Sequence, residues 1–296
     1  MSSLRLRDRT VDVQAGRPLI MGIVNAGDDS FSDAVRLDTL ERQVQRGLEL
    51  VAEGADLVDV GGESGVTYTP AATADEEAAR VVPLVERLAA EGVGVSVDTW
   101  KPEVARAALE AGAVMLNDVS GLRDPALAEL AARTGAALVL MHTRAEPKRE
   151  AFPAYDDVVA DVESFLRERI DLALDHGVAR EQLVLDPGPD FAKTPAETVS
   201  VLRELDRLHA LGRPLLLAIS RKYFLGVITG RPPAERLAGT LAAAAWAADA
   251  GAAILRVHDV AAVRDALAVK AVLEGRDEVP PFDGGDEELK WIRSDR

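Results

Sequence analysis

Short, uninterrupted apolar runs alternate with longer segments of helical periodicity over most of this chain. The apolar runs predict buried strands over residues 19–24, 56–60, 93–97, 113–116, 136–141, 183–185, 215–219 and from 254 onward. The longer segments predict helices over residues 40–53, 74–90, 102–110, 125–133, 155–176, 195–211, 233–250 and 260–273. Gly54, Gly112 and Gly177 stand where three of these helices end, as expected of C-terminal stop residues.

Eight strand–helix cycles in succession predict an α/β protein with (β/α)8 (TIM) barrel architecture. The strands are continuously apolar rather than alternating, which is typical of parallel strands buried on both faces. A doubly wound parallel sheet is the alternative, although such sheets usually have fewer strands. We expect one barrel domain over residues 1–274, with a short hairpin or lid at about 1–17, and a loosely ordered acidic tail over 275–296.

Composition and charge narrow the classes of function. Of the 296 residues 48% are hydrophobic, and 34 basic against 50 acidic side chains give a net charge of −16, which argues against nucleic-acid binding. The acidic excess fits solvated outer helices, and a salt-adapted source is the alternative. The absence of cysteine excludes disulfides, cysteine-ligated zinc and thiol catalysis. No apolar run reaches the ~18 residues of a membrane span, and no signal-peptide core is present, so we expect a cytoplasmic protein without membrane partners.

Polar and charged side chains cluster where the predicted strands end. Active sites of (β/α)8 barrels lie at that carboxyl-terminal face. The residues are Asn25, Asp59, Asp98, Asn117, His142, Asp186, Lys222 and Arg256 with His258. Each one taken singly also suits a helix cap or a turn, as for Asp98 before a helix and Asp186 before Pro-Gly. Caps at every strand end are much less expected, so the whole set predicts a binding site.

The residue types predict a ligand with a planar, donor-rich head and an anionic tail. Asp98, Asn117 and Asp186 can accept hydrogen bonds from ring N–H and amino groups. Arg256 and His258 share one face of the last strand, at the part of the barrel that usually binds phosphate. An arginine suits a bidentate phosphate contact. For His258, a buried, hydrogen-bonded structural role is the alternative.

Seven motifs occur in the order and spacing of one known family. They are Met21-Gly-Ile-Val-Asn25 with Asp29-Ser-Phe-Ser-Asp33, Asp59-Val-Gly-Gly-Glu-Ser64, Ser96-Val-Asp-Thr-Trp-Lys-Pro102, Asn117-Asp-Val-Ser-Gly121, Leu185-Asp-Pro-Gly188, Ser220-Arg-Lys222 and Arg256-Val-His-Asp-Val260. Across residues 18–270 the chain therefore resembles dihydropteroate synthase. The resemblance implies a (β/α)8 barrel that joins 6-hydroxymethyl-7,8-dihydropterin diphosphate to p-aminobenzoate and releases diphosphate.

The resemblance also implies roles for individual residues. The pterin ring would be held by Asp98, Asn117, Met141, Asp186 and Lys222, and the diphosphate by Asn25, Arg256 and His258. Asn25 would also contact Mg2+, the implied cofactor, and the p-aminobenzoate site would be lined by Phe191 and Ser220. Catalysis, the stabilisation of charge as diphosphate leaves, would involve Asp98, Lys222 and Arg256. The implied partners are these small-molecule substrates and a second copy of the chain, in a homodimer formed through outer helices.

The chain departs from the family pattern in its active-site loops. Gly27 and Asp28 replace the usual Thr-Pro after the first strand, and an Arg-Pro is lost near Gly65 after the second. Asp190 and Ala192 stand where glycines are usual after the sixth strand. Because the first two changes loosen turns, slower synthesis, an altered acceptor and reduced sulfonamide sensitivity are hypotheses. The alternative functions are a diverged pterin-binding paralogue with weak or no synthase activity and a pterin-dependent methyltransferase.

Overall fold

Eight parallel strands form a barrel in the computed structural model, which describes residues 2–14, 16–27, 39–63 and 71–281. An antiparallel hairpin, β1 (Ser2–Leu6) and β2 (Arg9–Val13), precedes the barrel strands β3 (Leu19–Asn25), β4 (Leu57–Gly61), β5 (Val95–Asp98), β6 (Met115–Asp118), β7 (Ala137–Met141), β8 (Leu183–Asp186), β9 (Leu216–Leu217) and β10 (Ile254–Val257). Neighbouring strands follow the order β8-β7-β6-β5-β4-β3-β10-β9. A parallel bridge between Leu185 and Leu215 joins β8 to the segment of β9 and closes the ring. The (β/α)8 prediction is confirmed, and the doubly wound alternative is wrong.

Helices cover the outside of the barrel. In the described ranges they are α1 (Leu40–Ala52), α2 (Ala74–Ala90), α3 (Pro102–Glu110), α4 (Ala126–Thr134), α5 (Val158–Asp175), α6 (Pro195–Arg203), α7 (Leu205–His209), α8 (Tyr223–Thr229), α9 (Leu237–Asp249) and α10 (Val260–Leu273). The prediction missed α8, because its aromatic and β-branched residues with Gly226 have low intrinsic helix preference. It also merged α6 with α7, which separate where Glu204 adopts φ −113°. Helix α9 begins only after a 3-10 turn at Pro233–Glu235.

Side chains alternate between the inside and the outside of the barrel along each strand. The outer set packs under the helices and includes Leu255 and Val257. The inner set joins strand residues to the hairpin in one apolar cluster that includes Met21, Leu57, Met115, Val184, Ile254, Leu4, Leu6 and Val13. Two residues further along the same inward faces stand Asp59, Asn117, Asp186 and Arg256. The hairpin therefore plugs the amino-terminal end of the barrel, and the polar residues lie toward the other end.

The predicted hairpin is confirmed. The segment after α10 contacts Arg17, which follows the second strand of this hairpin. Arg17 Nη2 donates to the carbonyl of Arg276 at 3.2 Å, and Arg17 also forms an ion pair with Asp277. Residues 282–296, the larger part of the predicted tail, lie outside the described residues, so the domain limits stay a prediction. Within the described ranges no helix is long and apolar enough to cross a membrane.

Candidate active site

Two carboxylates hold the guanidinium of Arg256 at the carboxyl-terminal end of the barrel. Its Nε donates to Asp59 Oδ2 at 2.6 Å, and its Nη2 donates to Asp98 Oδ2 at 2.9 Å. Asn117 Nδ2 donates to the same oxygen of Asp59 at 3.0 Å. The four side chains come from β10, β4, β5 and β6, so barrel closure assembles them from distant parts of the chain. We call these four residues the arginine cluster.

The arginine cluster contains a carboxyl group that titrates near neutral pH. Burial raises the pKa of Asp98 to about 7; Arg256 opposes this change, and the negative charge of Asp59 adds to it. Burial also disfavours the charged form of Arg256, yet Asp59 and Asp98 outweigh that effect and raise its pKa. A carboxyl group near its pKa beside a permanent cation is typical of a functional site rather than of a helix cap.

Asp186 and Lys222 lie near one loop, the segment that follows β8. Asp186 Oδ1 accepts a hydrogen bond from the Gly188 backbone at 2.7 Å, so this residue does form the turn that its sequence context allowed. Lys222 Nζ donates to the Pro189 carbonyl at 3.1 Å and lies 4.3 Å from the ring centroid of Phe191. Burial raises the pKa of Asp186 and lowers that of Lys222. Lys222, which is predicted to bind the pterin, therefore contacts Phe191, which is predicted to line the p-aminobenzoate site.

Ser220 and His258 are in direct contact. His258 Nδ1 lies 3.0 Å from Ser220 Oγ, which also accepts from the His258 backbone N–H at 3.2 Å. The segment that carries Ser220 and Lys222 is held by Arg236, whose Nη1 donates to the carbonyls of Arg221 at 2.9 Å and Lys222 at 3.2 Å. His258, which is predicted to bind diphosphate, and Ser220, which is predicted to line the p-aminobenzoate site, therefore lie side by side at the ends of neighbouring strands.

Asn25 and Met141 also lie at this end of the barrel. A Cβ atom placed on Gly61 would be 3.8 Å from both Asn25 Oδ1 and Asp98 Cβ, so the Asn25 amide faces the arginine cluster. Met141 is buried beside Gly188. Among the described residues no group of three or more His, Cys, Asp or Glu side chains is arranged to hold a metal ion. Mg2+ often takes only one or two protein oxygens and completes its shell with water and substrate phosphates, so the single amide oxygen of Asn25 fits that mode.

A cavity of about 470 Å³ opens beside Lys222 and Phe191. Its wall includes the aromatic rings of Trp100 and Tyr223 and the segment 145–152 that follows β7. Aromatic rings with nearby cationic side chains suit a small aromatic acid. The cavity therefore extends the site from the predicted pterin residues toward a second ligand.

Two parts of the site escaped prediction from the sequence. Asp59 was recognised as a strand-end residue but was given no role, although it binds both Arg256 and Asn117. His142, counted among the strand-end polar residues, points instead toward Phe165 on α5, with ring centroids 4.9 Å apart. His142 belongs to a buried hydrogen-bond network with Lys193. The only sequence signal for this network was the presence of a lysine among small and apolar residues. The predicted loops at 28–38 and 64–70 lie outside the described residues.

A family model described as pterin binding enzyme matches residues 21–258. That range covers most of the chain and contains every residue predicted for the site. The fold and the site together therefore define a pterin-binding barrel enzyme.

Known relatives of this chain identify its family within the pterin-binding enzymes. Dihydropteroate synthase of Mycobacterium leprae is 48% identical over 262 residues, which are 84% of this chain and 91% of that protein. A structure of Xanthomonas albilineans dihydropteroate synthase in complex with 7,8-dihydropteroate is 45% identical, with a TM-score of 0.81 over 94% of this chain and 100% of that one. A structure of the Yersinia pestis dihydropteroate synthase with a sulfonamide drug complex is 38% identical, with a TM-score of 0.86 over 93% and 100%. The chain belongs to the dihydropteroate synthase family.

Proposed function

We propose that this chain joins 6-hydroxymethyl-7,8-dihydropterin diphosphate to p-aminobenzoate and releases diphosphate. The observation that carries the proposal is the arginine cluster, in which Asp98 shares the guanidinium of Arg256 with the fully buried Asp59. It offers hydrogen-bond acceptors for a heterocycle beside a fixed positive charge for an anion. The relatives that bind 7,8-dihydropteroate and a sulfonamide support the same assignment.

The pterin would be recognised mainly by hydrogen-bond acceptors on the protein. Because Asn117 Nδ2 donates to Asp59, the orientation of its amide is fixed and Oδ1 is the atom that accepts from the ligand. Asp98 and Asp186 would accept from ring N–H and amino groups, with Met141 packing against the ring. Lys222 would complete this set with a donor.

In the reaction, the bond between the methylene carbon and the diphosphate oxygen breaks, and both electrons leave with diphosphate. Arg256 and His258 would stabilise the growing negative charge, and Asp98 the positive charge on the pterin. Arg256 donates its Nε N–H to Asp59 and one Nη2 N–H to Asp98, so the two N–H groups of Nη1 and the second one of Nη2 would serve the phosphate. The aniline nitrogen then attacks the carbon and loses a proton. Asn25 would hold Mg2+ together with the substrate phosphates, and the ion would supply further positive charge to the leaving group.

Steady-state turnover of the purified protein with pterin diphosphate and p-aminobenzoate tests the proposal. We expect p-aminobenzoate-dependent diphosphate release that a sulfonamide inhibits by competition. Complementation of a folate-requiring strain that lacks its own synthase gives the same answer in cells. Normal binding of pterin diphosphate without turnover would contradict the proposal and would indicate the diverged paralogue.

We further propose a homodimer, supported by apolar side chains that α8, α9 and α10 expose together. Ile228, Trp246 and Leu273 are 65%, 41% and 81% exposed on these three helices. Helix α9 packs against both α8 and α10, so these exposed apolar side chains stand on adjacent helices, which suits an interaction surface. Light scattering of the wild type should give twice the chain mass, and Trp246→Glu should shift the protein to the monomer. A cytoplasmic location also stays a prediction, which cell fractionation tests.

A further inference from the structure

The side chain of Lys193 is fully buried between the strands and the loop that follows β8. Only 1% of the residue is exposed, which makes it the largest fully buried side chain of the described residues. Its Nζ lies 2.7 Å from His142 Nδ1, 3.0 Å from the Gly188 carbonyl and 3.1 Å from the Phe191 carbonyl. The His142 carbonyl is a fourth acceptor, at 3.4 Å, so four acceptors surround this terminal nitrogen. Burial lowers the pKa of Lys193 to about 7. Lys193 therefore holds both ends of the loop that carries Phe191.

The neighbouring imidazole has only one arrangement of hydrogen that fits. His142 Nε2 lies 2.9 Å from Asp161 Oδ2, and the same carboxylate accepts from Arg144 at 2.7 and 3.0 Å. Because the carboxylate only accepts, Nε2 carries the hydrogen and Nδ1 is free to accept from Lys193. Burial and the charge of Lys193 lower the pKa of His142 to about 3, which keeps the ring neutral. The hydrogen-bonded series Asp161–His142–Lys193 thus connects α5 to the loop that follows β8.

The loop held in this way has an unfavourable backbone. Asp190 and Ala192 adopt positive φ angles of 63° and 51°, a region that glycine enters without cost. A non-glycine residue there costs about 1 kcal/mol or more and persists only when its surroundings impose the conformation. Tyr155 Oη donates to the Ala192 carbonyl at 2.8 Å, and the Asp190 backbone donates to Thr198 at 3.0 Å. Together with Lys193, these contacts impose the shape of the loop from three sides.

We propose that Lys193 is a positioning residue for p-aminobenzoate: the contacts of its terminal nitrogen fix the loop of residues 187–193 so that Phe191 lines the p-aminobenzoate site beside Lys222. The inference rests on the proposed function for the identity of the acceptor. Lys193 itself does not line the cavity beside Phe191. Its effect on the reaction passes through the Phe191 ring, which does line that cavity.

The test compares Lys193→Met with the wild type in three measurements. We expect the KM for p-aminobenzoate to rise about tenfold, because small displacements of a positioning group carry large kinetic effects. The Kd for pterin diphosphate should change by a smaller factor than this KM, since the hydrogen bonds of the arginine cluster do not involve Lys193. Amide hydrogen exchange of residues 187–193 should become faster, and this third readout needs no catalysis.

A matched control separates positioning from general loss of stability. Leu208→Ala removes a fully buried side chain on α7, away from the loop, and should lower thermal stability without raising the acceptor KM. If Lys193→Met does not fold, Tyr155→Phe removes only the bond to the Ala192 carbonyl and should raise the acceptor KM about twofold to threefold. An unchanged KM for p-aminobenzoate in an active, folded Lys193→Met variant would overturn this inference and leave the proposed function standing. An inactive wild type would overturn the proposed function, and unchanged exchange of residues 187–193 would then overturn this inference independently.

Discussion

Replacing Asp98 with asparagine should make the protein more stable at alkaline pH while impairing pterin binding. The pKa of this carboxyl group is about 7 in the folded chain, against an ordinary value of 3.8. A group with a raised pKa binds its proton more tightly in the folded state, so its ionisation opposes folding. The penalty is absent below pH 3.8, grows as the pH rises to about 7, and is complete above that. Asparagine carries no charge at any of these pH values.

The expected size of the effect follows from the raised pKa, which already includes the opposing attraction of Arg256. The difference between 3.8 and about 7 corresponds to ~4 kcal/mol, at ~1.4 kcal/mol for each pH unit. Asparagine resembles the protonated carboxyl group, so it avoids this whole penalty at pH 8. A gain of ~4 kcal/mol raises the Tm by about 8 °C, at ~2 °C for each kcal/mol. At pH 5 the unfolded carboxyl group is ionised while the folded one stays mostly protonated, so the penalty is ~2 kcal/mol and the Tm difference should be about half as large.

Thermal unfolding of the two proteins from pH 5 to pH 9, at one ionic strength, measures this difference. Asp171→Asn is the matched control, because it makes the same change of charge on the exposed surface of α5. Calorimetric titration with the bare pterin at pH 8 should show the accompanying loss of affinity. A Tm difference that does not grow with pH, or a variant less stable than the wild type at pH 8, would refute the reasoning.

Two further predictions concern arginines. Arg256→Ala should weaken binding of pterin diphosphate about 100-fold and that of the bare pterin less than tenfold, as measured by calorimetry, because only the former carries the anion; equal losses would contradict the assignment of this residue to diphosphate. Arg236→Met frees the carbonyls of the segment that carries Ser220 and Lys222, so kcat/KM should fall at least about tenfold in steady-state assays. Gly226→Ala should act in the same direction, since the added Cβ would collide with the Arg236 guanidinium, and unchanged kinetics in both variants would show that this contact is unimportant.

Strand and helix positions could be read from the sequence with small, systematic errors. The predicted helices at 74–90, 102–110 and 260–273 agree with α2, α3 and α10 residue for residue. Five of the predicted strands stop one or two residues too early, as for β5 and β8, which continue through Asp98 and Asp186, whereas the predicted strand at 215–219 runs two residues past β9. Parallel pairing uses backbone groups and continues past the last apolar side chain. The polar end residues therefore belong to the rigid barrel, which is what fixes their positions.

The candidate site could be predicted as a set of residue types but not as a set of pairs. Arg256 was expected to serve only an anion, yet it lies between Asp59 and Asp98, 197 and 158 positions away. Such pairs depend on which strands become neighbours when the barrel closes, and no local pattern records that. The same holds for Lys193, whose partner His142 lies 51 positions earlier. Periodicity predicts which way a side chain points, whereas its partner is decided by the tertiary fold.

The closure of the barrel between β8 and β9 has a consequence for motion. Strand β9 has two residues, pairs with β10 at two positions and reaches β8 through the single bridge at Leu185 and Leu215. The opposite side is more strongly bonded, since β3 and β4 pair at five positions. Fluctuations that part the ring are therefore least costly below Ser220 and beside the loop of Phe191. The strand ends that carry Asp186, Ser220 and Lys222 can therefore separate more easily than those that carry Asp59, Asp98 and Asn117.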